Sequence, residues 1–255
     1  MRTIIFILIL PVLFSISIAG ADTIIMAADR WCPVNCEPDS PRPGFMVEIA
    51  QQVFTKAGHT IEYRIVPWAR AIEEANAGRI NGIIGAFHGD APDFIFPENE
   101  LFLLSGNSFF VTSKSKWTYK DISSLSEIII GAINGYDYGE EINSYINKYK
   151  GTKRVDLISG NHPLERNIQK LLNGRIDVLV ESNVVFWRTA SAMGVKDNIK
   201  SAGQASKPEK CYIAFSPSNI KSKEYAKILS DGVDMLRKSG QLKKILNAYE
   251  VDDWK

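Results

Sequence analysis

Apolar and polar positions along the chain fall into short blocks, each with its own period. TIIMAA (23–28) is a continuous apolar run of strand length, as a strand buried on both faces requires. A loop rich in Pro, Asp and Cys leads to Gly44. FMVEIAQQVFTKAG (45–58) then sets Met46, Ile49, Val53 and Ala57 on one helical stripe, stopped by Gly58. TIEYRI (60–65) alternates as a strand. Pro67 opens a second helix, PWARAIEEANAG, where a missing N–H costs no hydrogen bond, and INGIIGA (80–86) is the next strand. Strand, helix, strand, helix, strand in that order predicts a parallel sheet with helices on its faces.

The order then recurs. EIIIGAI (127–133) reads as a strand, and YGEEINSYINKYK (138–150) as a helix with Ile142, Tyr145, Ile146 and Tyr149 on its apolar side. RVDLIS, LERNIQKLLNG and RIDVLVE complete the set as strand, helix and strand. Gly78-Arg79-Ile80 of the first half returns as Gly174-Arg175-Ile176, each time between a helix and a strand. The repeated phrase marks the third strand of each of two similar α/β lobes. Between the halves, FFVTSKSKWTYKDISSL loses the pattern, and KEYAKILSDGVDMLRKSGQLKKILNAYE gives two helices parted at Ser239-Gly240.

The first residues lie outside this scheme. MRTIIFILILPVLFSISIAGADT carries Arg2, an apolar run and Ala19-Gly20-Ala21, the layout of a signal peptide (1–21) cleaved near Ala21. Pro11 interrupts the run, Ser15 and Ser17 dilute it, and nothing basic follows it, so a membrane anchor fits less well. The expected location is the periplasm. With 30 Lys and Arg against 29 Asp and Glu, no basic excess points to nucleic acid or an anionic membrane surface. An oxidising compartment favours pairing of cysteines, and WCPVNC brings Cys32 and Cys36 together in one loop, so a local disulfide is the preferred pairing. The alternative is three unpaired thiols, with Cys211 buried in KCYIAF. His59, His88 and His162 show no ligand spacing with the cysteines, and neither metal nor cofactor is expected.

GF-x-x-E-I near the start, the twin G-R-I-[DN] phrases, INGYDYG after a strand and LRKSGQLKKIL-x-x-Y at the end resemble the periplasmic solute-binding proteins of family 3, the type that serves polar amino acid ABC importers. The resemblance implies a type II periplasmic binding protein-like fold: two Rossmann-like lobes joined by a two-strand hinge. Lobe 1 would comprise 22–112 plus 216–255 and lobe 2 residues 113–215, with FFVTS and YIAFS as the crossings. Ligand would lie in the cleft and the lobes would close over it. Open α/β sheets bind ligands beyond the carboxyl ends of their strands, which independently directs attention to residues that follow strands.

Those residues make up the candidate site. Trp31 follows the first strand, where the family often presents an aromatic ring to ligand; it stacks there or covers the cysteine pair. Tyr63, Trp68 and Arg70 lie on and after the second strand, and Arg70 either grips an acidic ligand or is simply solvated. After the third strand the chain departs from the family. The arginine that grips a ligand carboxylate has its place at or next to Asp93, His88 stands where a small hydroxyl residue would be, and no arginine occurs between Arg79 and Arg154. Ser182 occupies the usual place of the acid that holds an α-amino group, with Glu181 one step earlier. Glu181 either supplies that acid or pairs with Arg175 or Arg188. In INGYDYG a glycine-bearing turn opens a helix and offers Tyr136 and Tyr138, while Asp137 suits a helix cap.

The leading expectation is a monomeric, non-catalytic protein that captures a small polar solute, amino acid-like or amine-bearing, for an inner-membrane ABC transporter permease. A sensor acting through a membrane partner is the second. A dehydratase-like enzyme on the same scaffold is the third; it would need an acid–base pair such as His88 with Asp90, Asp93 or Glu181.

Overall fold

The computed structural model describes residues 20–255. The expected signal peptide lies, up to residue 19, outside the described residues. Among the described residues ten strands form two five-stranded sheets, and seven α-helices pack around them.

The first sheet is built from β1 (Thr23–Ala28), β2 (Thr60–Ile65) and β3 (Gly82–Ala86), which run parallel with β1 in the middle. Helices α1 (Phe45–Lys56) and α2 (Trp68–Asn76) connect them. The stripe expected on α1 is wider than the sequence suggested: Phe45, Val47, Ala50 and Phe54 are also buried, while Ala57 is an exposed cap. The extra faces are covered by the C-terminal helices α6 (Ser222–Lys238) and α7 (Gln241–Ala248), which pack on α1.

The second sheet repeats the plan. β6 (Ile130–Ile133), β7 (Val155–Ile158) and β8 (Val178–Ser182) run parallel with β6 central, linked by α3 (Glu140–Tyr149) and α4 (Pro163–Leu172). The remaining helix, α5 (Asn183–Ala192), follows β8 directly. The twin Gly-Arg-Ile phrases do the same structural job. Gly78 and Gly174 end α2 and α4 with φ of 71° and 66°. In each case the arginine N–H reaches back to the last helical turn, Arg79 to Glu74 O and Arg175 to Lys170 O, both at 2.9 Å. Left-handed glycine followed by this long reverse bond is the Schellman ending, and a side chain at that φ would be strained.

Each sheet is completed by strands from the rest of the chain. The orders are β2-β1-β3-β10-β4 and β7-β6-β8-β5-β9, where β4 is Phe102–Leu104, β5 Asn107–Thr112, β9 Ile199–Gln204 and β10 Glu209–Phe215. The lobe boundaries therefore differ from the expected ones. FFVTS belongs to β5 and its end, and β5 pairs with β8 and β9 of the second sheet; YIAFS belongs to β10 and its end, and β10 pairs with β3 and β4 of the first. The chain passes between sheets earlier, at Ser105-Gly106 and at Ala205–Pro208. The two passages touch: Asn107 N–H donates to Ser206 Oγ at 2.9 Å and Ala205 N–H to Asn107 O at 2.8 Å. Gly106, at φ 91°, runs so close that a Cβ there would stand 2.3 Å from Ser206 O.

Cys32 and Cys36 are bonded to each other in the loop after β1, and Cys211 is buried in β10. Among the described residues no helix is long and apolar enough to cross a membrane.

Candidate functional site

The carboxyl ends of β1, β3, β6 and β8 face a common space between the sheets. β1 ends at Ala28, and the next residues deliver Asp29 and Trp31. β3 ends at Ala86 and is followed by Phe87 and Asp90. β6 ends at Ile133 and turns through Tyr136 and Asp137, and Glu181 stands on the last residues of β8. With Trp68 from the start of α2, Asn35 from the disulfide loop and Asn107 from β5, these side chains enclose a cavity. Its free space is about 20 Å³, which holds about one water, so a larger solute needs the lobes to part.

Contacts across the cavity tie the lobes together. Trp31 Nε1 donates to Glu181 Oε1 at 3.1 Å, and the Tyr136 hydroxyl donates to Asp29 Oδ2 at 2.5 Å. The Trp68 and Tyr136 rings meet edge-on with centroids 6.3 Å apart. Beside the cavity, Arg30 pairs with Glu165 of α4. Two glycines allow close packing, Gly85 within the first lobe and Gly89 against the second. A Cβ on Gly85 (φ 88°) would sit 3.1 Å from Asn35 Oδ1 and 3.5 Å from the Trp31 ring, and one on Gly89 would fall 1.8 Å from Asp137 Oδ2.

Burial dominates the electrostatics. Asp29 is raised from 3.8 to about 7 by loss of water, against the opposing bond from Tyr136. Glu181 is likewise raised from 4.5 to about 7 by burial, although Trp31 and the Ser182 N–H donate to it. Burial also pushes Asp90 well above the carboxylate range and Tyr136 well above the usual phenol value.

Four of the expected residues, Trp31, Trp68, Tyr136 and Glu181, line this cavity. Glu181 pairs with neither Arg175 nor Arg188; its partners are Trp31 and its own neighbour's N–H. Tyr138 is buried behind the wall, where its hydroxyl accepts from Ile133 N–H at 2.7 Å. Tyr63 is buried on β2, next to Asn35 rather than on the wall. Arg70 faces solvent with its side chain 66% exposed and is bonded to Glu74 one turn on, so it is outside the cavity. His88 is exposed and lies against the Phe96 and Tyr212 rings, at 3.9 and 5.1 Å between centroids, and Asp93 is exposed. Of the acids considered as acid–base partners for His88, Asp90 and Glu181 line the cavity, while His88 and Asp93 stand outside it. Asp137 is not the helix cap, a place taken by Gly139; it stands before the helix, where its carboxylate accepts from Gly139 N–H at 2.8 Å and from the Asn143 amide at 2.6 Å, and it also reaches the cavity. Sequence reasoning missed Asp29, Asn35, Phe87 and Asn107 as site residues; Asp29 and Phe87 directly follow strands and carried the signal.

No protein-family model matches the chain, and no curated protein matches it. Solved structures do. A histidine kinase sensor domain with similarity to periplasmic binding proteins aligns at 18% identity and a TM-score of 0.73 over 89% of this chain and 95% of that one. An ancestral arginine-binding protein bound to arginine aligns at 19% and 0.70 over 89% and 97%. A structure reported for glutathione import via GshT and the cystine ABC importer TcyBC of Streptococcus mutans aligns at 16% and 0.73 over 90% and 95%. At such identities the likeness is one of fold. Two sheets of one strand order, facing each other across a cavity at their strands' carboxyl ends, give this chain the α/β architecture of the periplasmic binding proteins.

Proposed function

We propose that the protein is an exported solute-binding protein that captures a small polar solute, amino acid-like or amine-bearing, between two closing lobes and delivers it to an inner-membrane ABC transporter. The observation that carries this reading is the cavity itself: each lobe supplies part of its wall, and hydrogen bonds from Trp31 to Glu181 and from Tyr136 to Asp29 span it. A small enclosed pocket at the junction of two lobes, lined by four aromatic rings together with four acids and two amides, suits capture of a small molecule. Catalysis is not part of the proposal: His88, the base considered for it, lies outside the cavity.

A sensor acting through a membrane partner is the second reading, favoured by the likeness to a histidine kinase sensor domain. Capture is common to both readings and is tested first. A thermal-shift screen of the protein against amino acids, amines, dipeptides, short organic acids and sugars is expected to give a saturable stabilisation; a solute at 1,000 times its Kd adds about 4 kcal/mol. Absence of any shift from a folded sample counts against solute capture.

A further inference from the structure

The titratable carboxyls of the cavity wall are met by no basic side chain. Asp29 and Asp90 approach from the first sheet and Asp137 and Glu181 from the second, and no Lys, Arg or His lines it. The nearby guanidinium of Arg30 is taken up by Glu37 and Glu165, and that of Arg70 by Glu74. Unlike an acidic patch on a surface, this group includes an unmet hydrogen-bond demand. Glu181 is only 1% exposed; its Oε1 accepts from Trp31 and from the Ser182 N–H, and its Oε2 has no partner. A buried carboxylate oxygen without a donor is costly, and the cost is relieved when a donor arrives with a ligand.

The other wall residues point the same way. Trp31, Trp68, Phe87 and Tyr136 bring four aromatic rings to one small space, and a desolvated cation beside such rings gains electrostatically from their quadrupoles. A ligand carboxylate in the same place would meet four acids and no counter-charge, and would be repelled by each of them that is ionised, the more strongly for their burial.

Building on the solute-capture reading, we propose that the ligand is a small organic cation without a carboxylate, an amine, diamine or guanidine, whose charged nitrogen donates to Glu181 Oε2 among these rings. Binding would replace a proton or an unmet acceptor with an ammonium or guanidinium donor. No covalent chemistry is involved.

Matched pairs that differ by one α-carboxylate provide the test: agmatine against arginine, cadaverine against lysine, and putrescine against ornithine. Glucose and succinate serve as uncharged and anionic probes. Titration calorimetry on the protein, refolded from denaturant to remove bound solute, is run near pH 8, above the value of about 7 to which burial raises Asp29 and Glu181. At least one decarboxylated probe is expected to bind about tenfold or more tightly than its amino acid partner. Glu181→Gln is expected to weaken that amine about tenfold or more and to leave the thermal midpoint unchanged or higher, because it removes a buried charge. Amino acids binding as tightly as their amines would overturn the proposal and leave solute capture standing. Binding of glucose or succinate alone would do the same. If no probe binds a sample folded by circular dichroism, the cation assignment fails, and the wider thermal-shift screen then decides whether capture fails with it. Unchanged amine affinity in Glu181→Gln would remove Glu181 from the assignment.

Discussion

Trp31 works in both lobes at once. Its ring meets Phe87 edge-on at 6.2 Å between centroids and rests over Gly85, while its Nε1 donates to Glu181 on the opposite sheet. Trp31→Phe keeps an aromatic ring against Phe87 and deletes the donor. A hydrogen bond to a carboxylate is worth about 1.5–3 kcal/mol, so affinity for the captured solute is expected to fall by about tenfold or more in calorimetry. Arg70→Ala is the control: its exposed side chain and its Glu74 partner stand apart from the cavity, and affinity for every solute is expected to stay as it was. Weaker binding in Arg70→Ala would mean that solute binds somewhere other than this cavity. The rule that strand ends line a cleft was enough to bring Trp31, Trp68, Tyr136 and Glu181 there from sequence. It failed for His88 and Asp93 because the Asp90 side chain folds back to accept from Phe87 N–H at 3.0 Å, so that Asp90, not its neighbours, turns to the cavity. Asn35 and Asn107 were illegible for another reason: they come from a disulfide loop and a strand after a crossing, and neither position follows from any periodicity.

At the scale of elements, the hydrophobic pattern held wherever a helix or strand has one obligatory buried face. The helix breaks at Gly78, Gly174 and Ser239-Gly240 were all readable, because a left-handed residue that ends a helix is most cheaply a glycine. Gly174 offers a clean measurement of that preference, since nothing lies within 4 Å of where its Cβ would go. Gly174→Ala therefore tests backbone strain alone, and the expected loss is about 1 kcal/mol in a denaturant titration, with solute affinity unaffected. A loss near zero would mean that α4 can end without the left-handed residue. Pairing partners were less legible than elements. Phe109, Phe110 and Val111 are fully buried in β5, yet nothing in their sequence says which sheet they join. That choice depends on Gly106 and the contact of the two passages, a matter of distant backbone.

For the molecule as a whole, closing the lobes and holding protons are linked. Asp29 and Glu181 are each raised to about 7 in the closed arrangement, from 3.8 and 4.5. The groups that face them are Tyr136 and Trp31 as donors, Glu165 and each other as like charges, and Arg30 beside Asp29, already engaged by Glu37 and Glu165. Parting the lobes hydrates both carboxyls and returns them toward their ordinary values. Between about pH 4 and 7 the open form therefore ionises while the closed form keeps its protons, and closure takes up protons. Each pH unit gained in that window costs closure about 1.4 kcal/mol per carboxyl, and above about pH 7 both forms are ionised and the penalty stops growing. The sign is the same for unfolding, where stability also falls as pH rises through the window. Without added solute, small-angle scattering is thus expected to give a larger radius of gyration near pH 8 than near pH 5.5. Saturating amine is expected to restore the compact value near pH 8, because the cation takes the place of the lost protons. Amine affinity should accordingly rise with pH up to about 7 and then level off. A radius independent of pH, with amine affinity equally flat, would show that Asp29 and Glu181 do not titrate with closure and that another contact, such as Arg30 with Glu165, governs it instead.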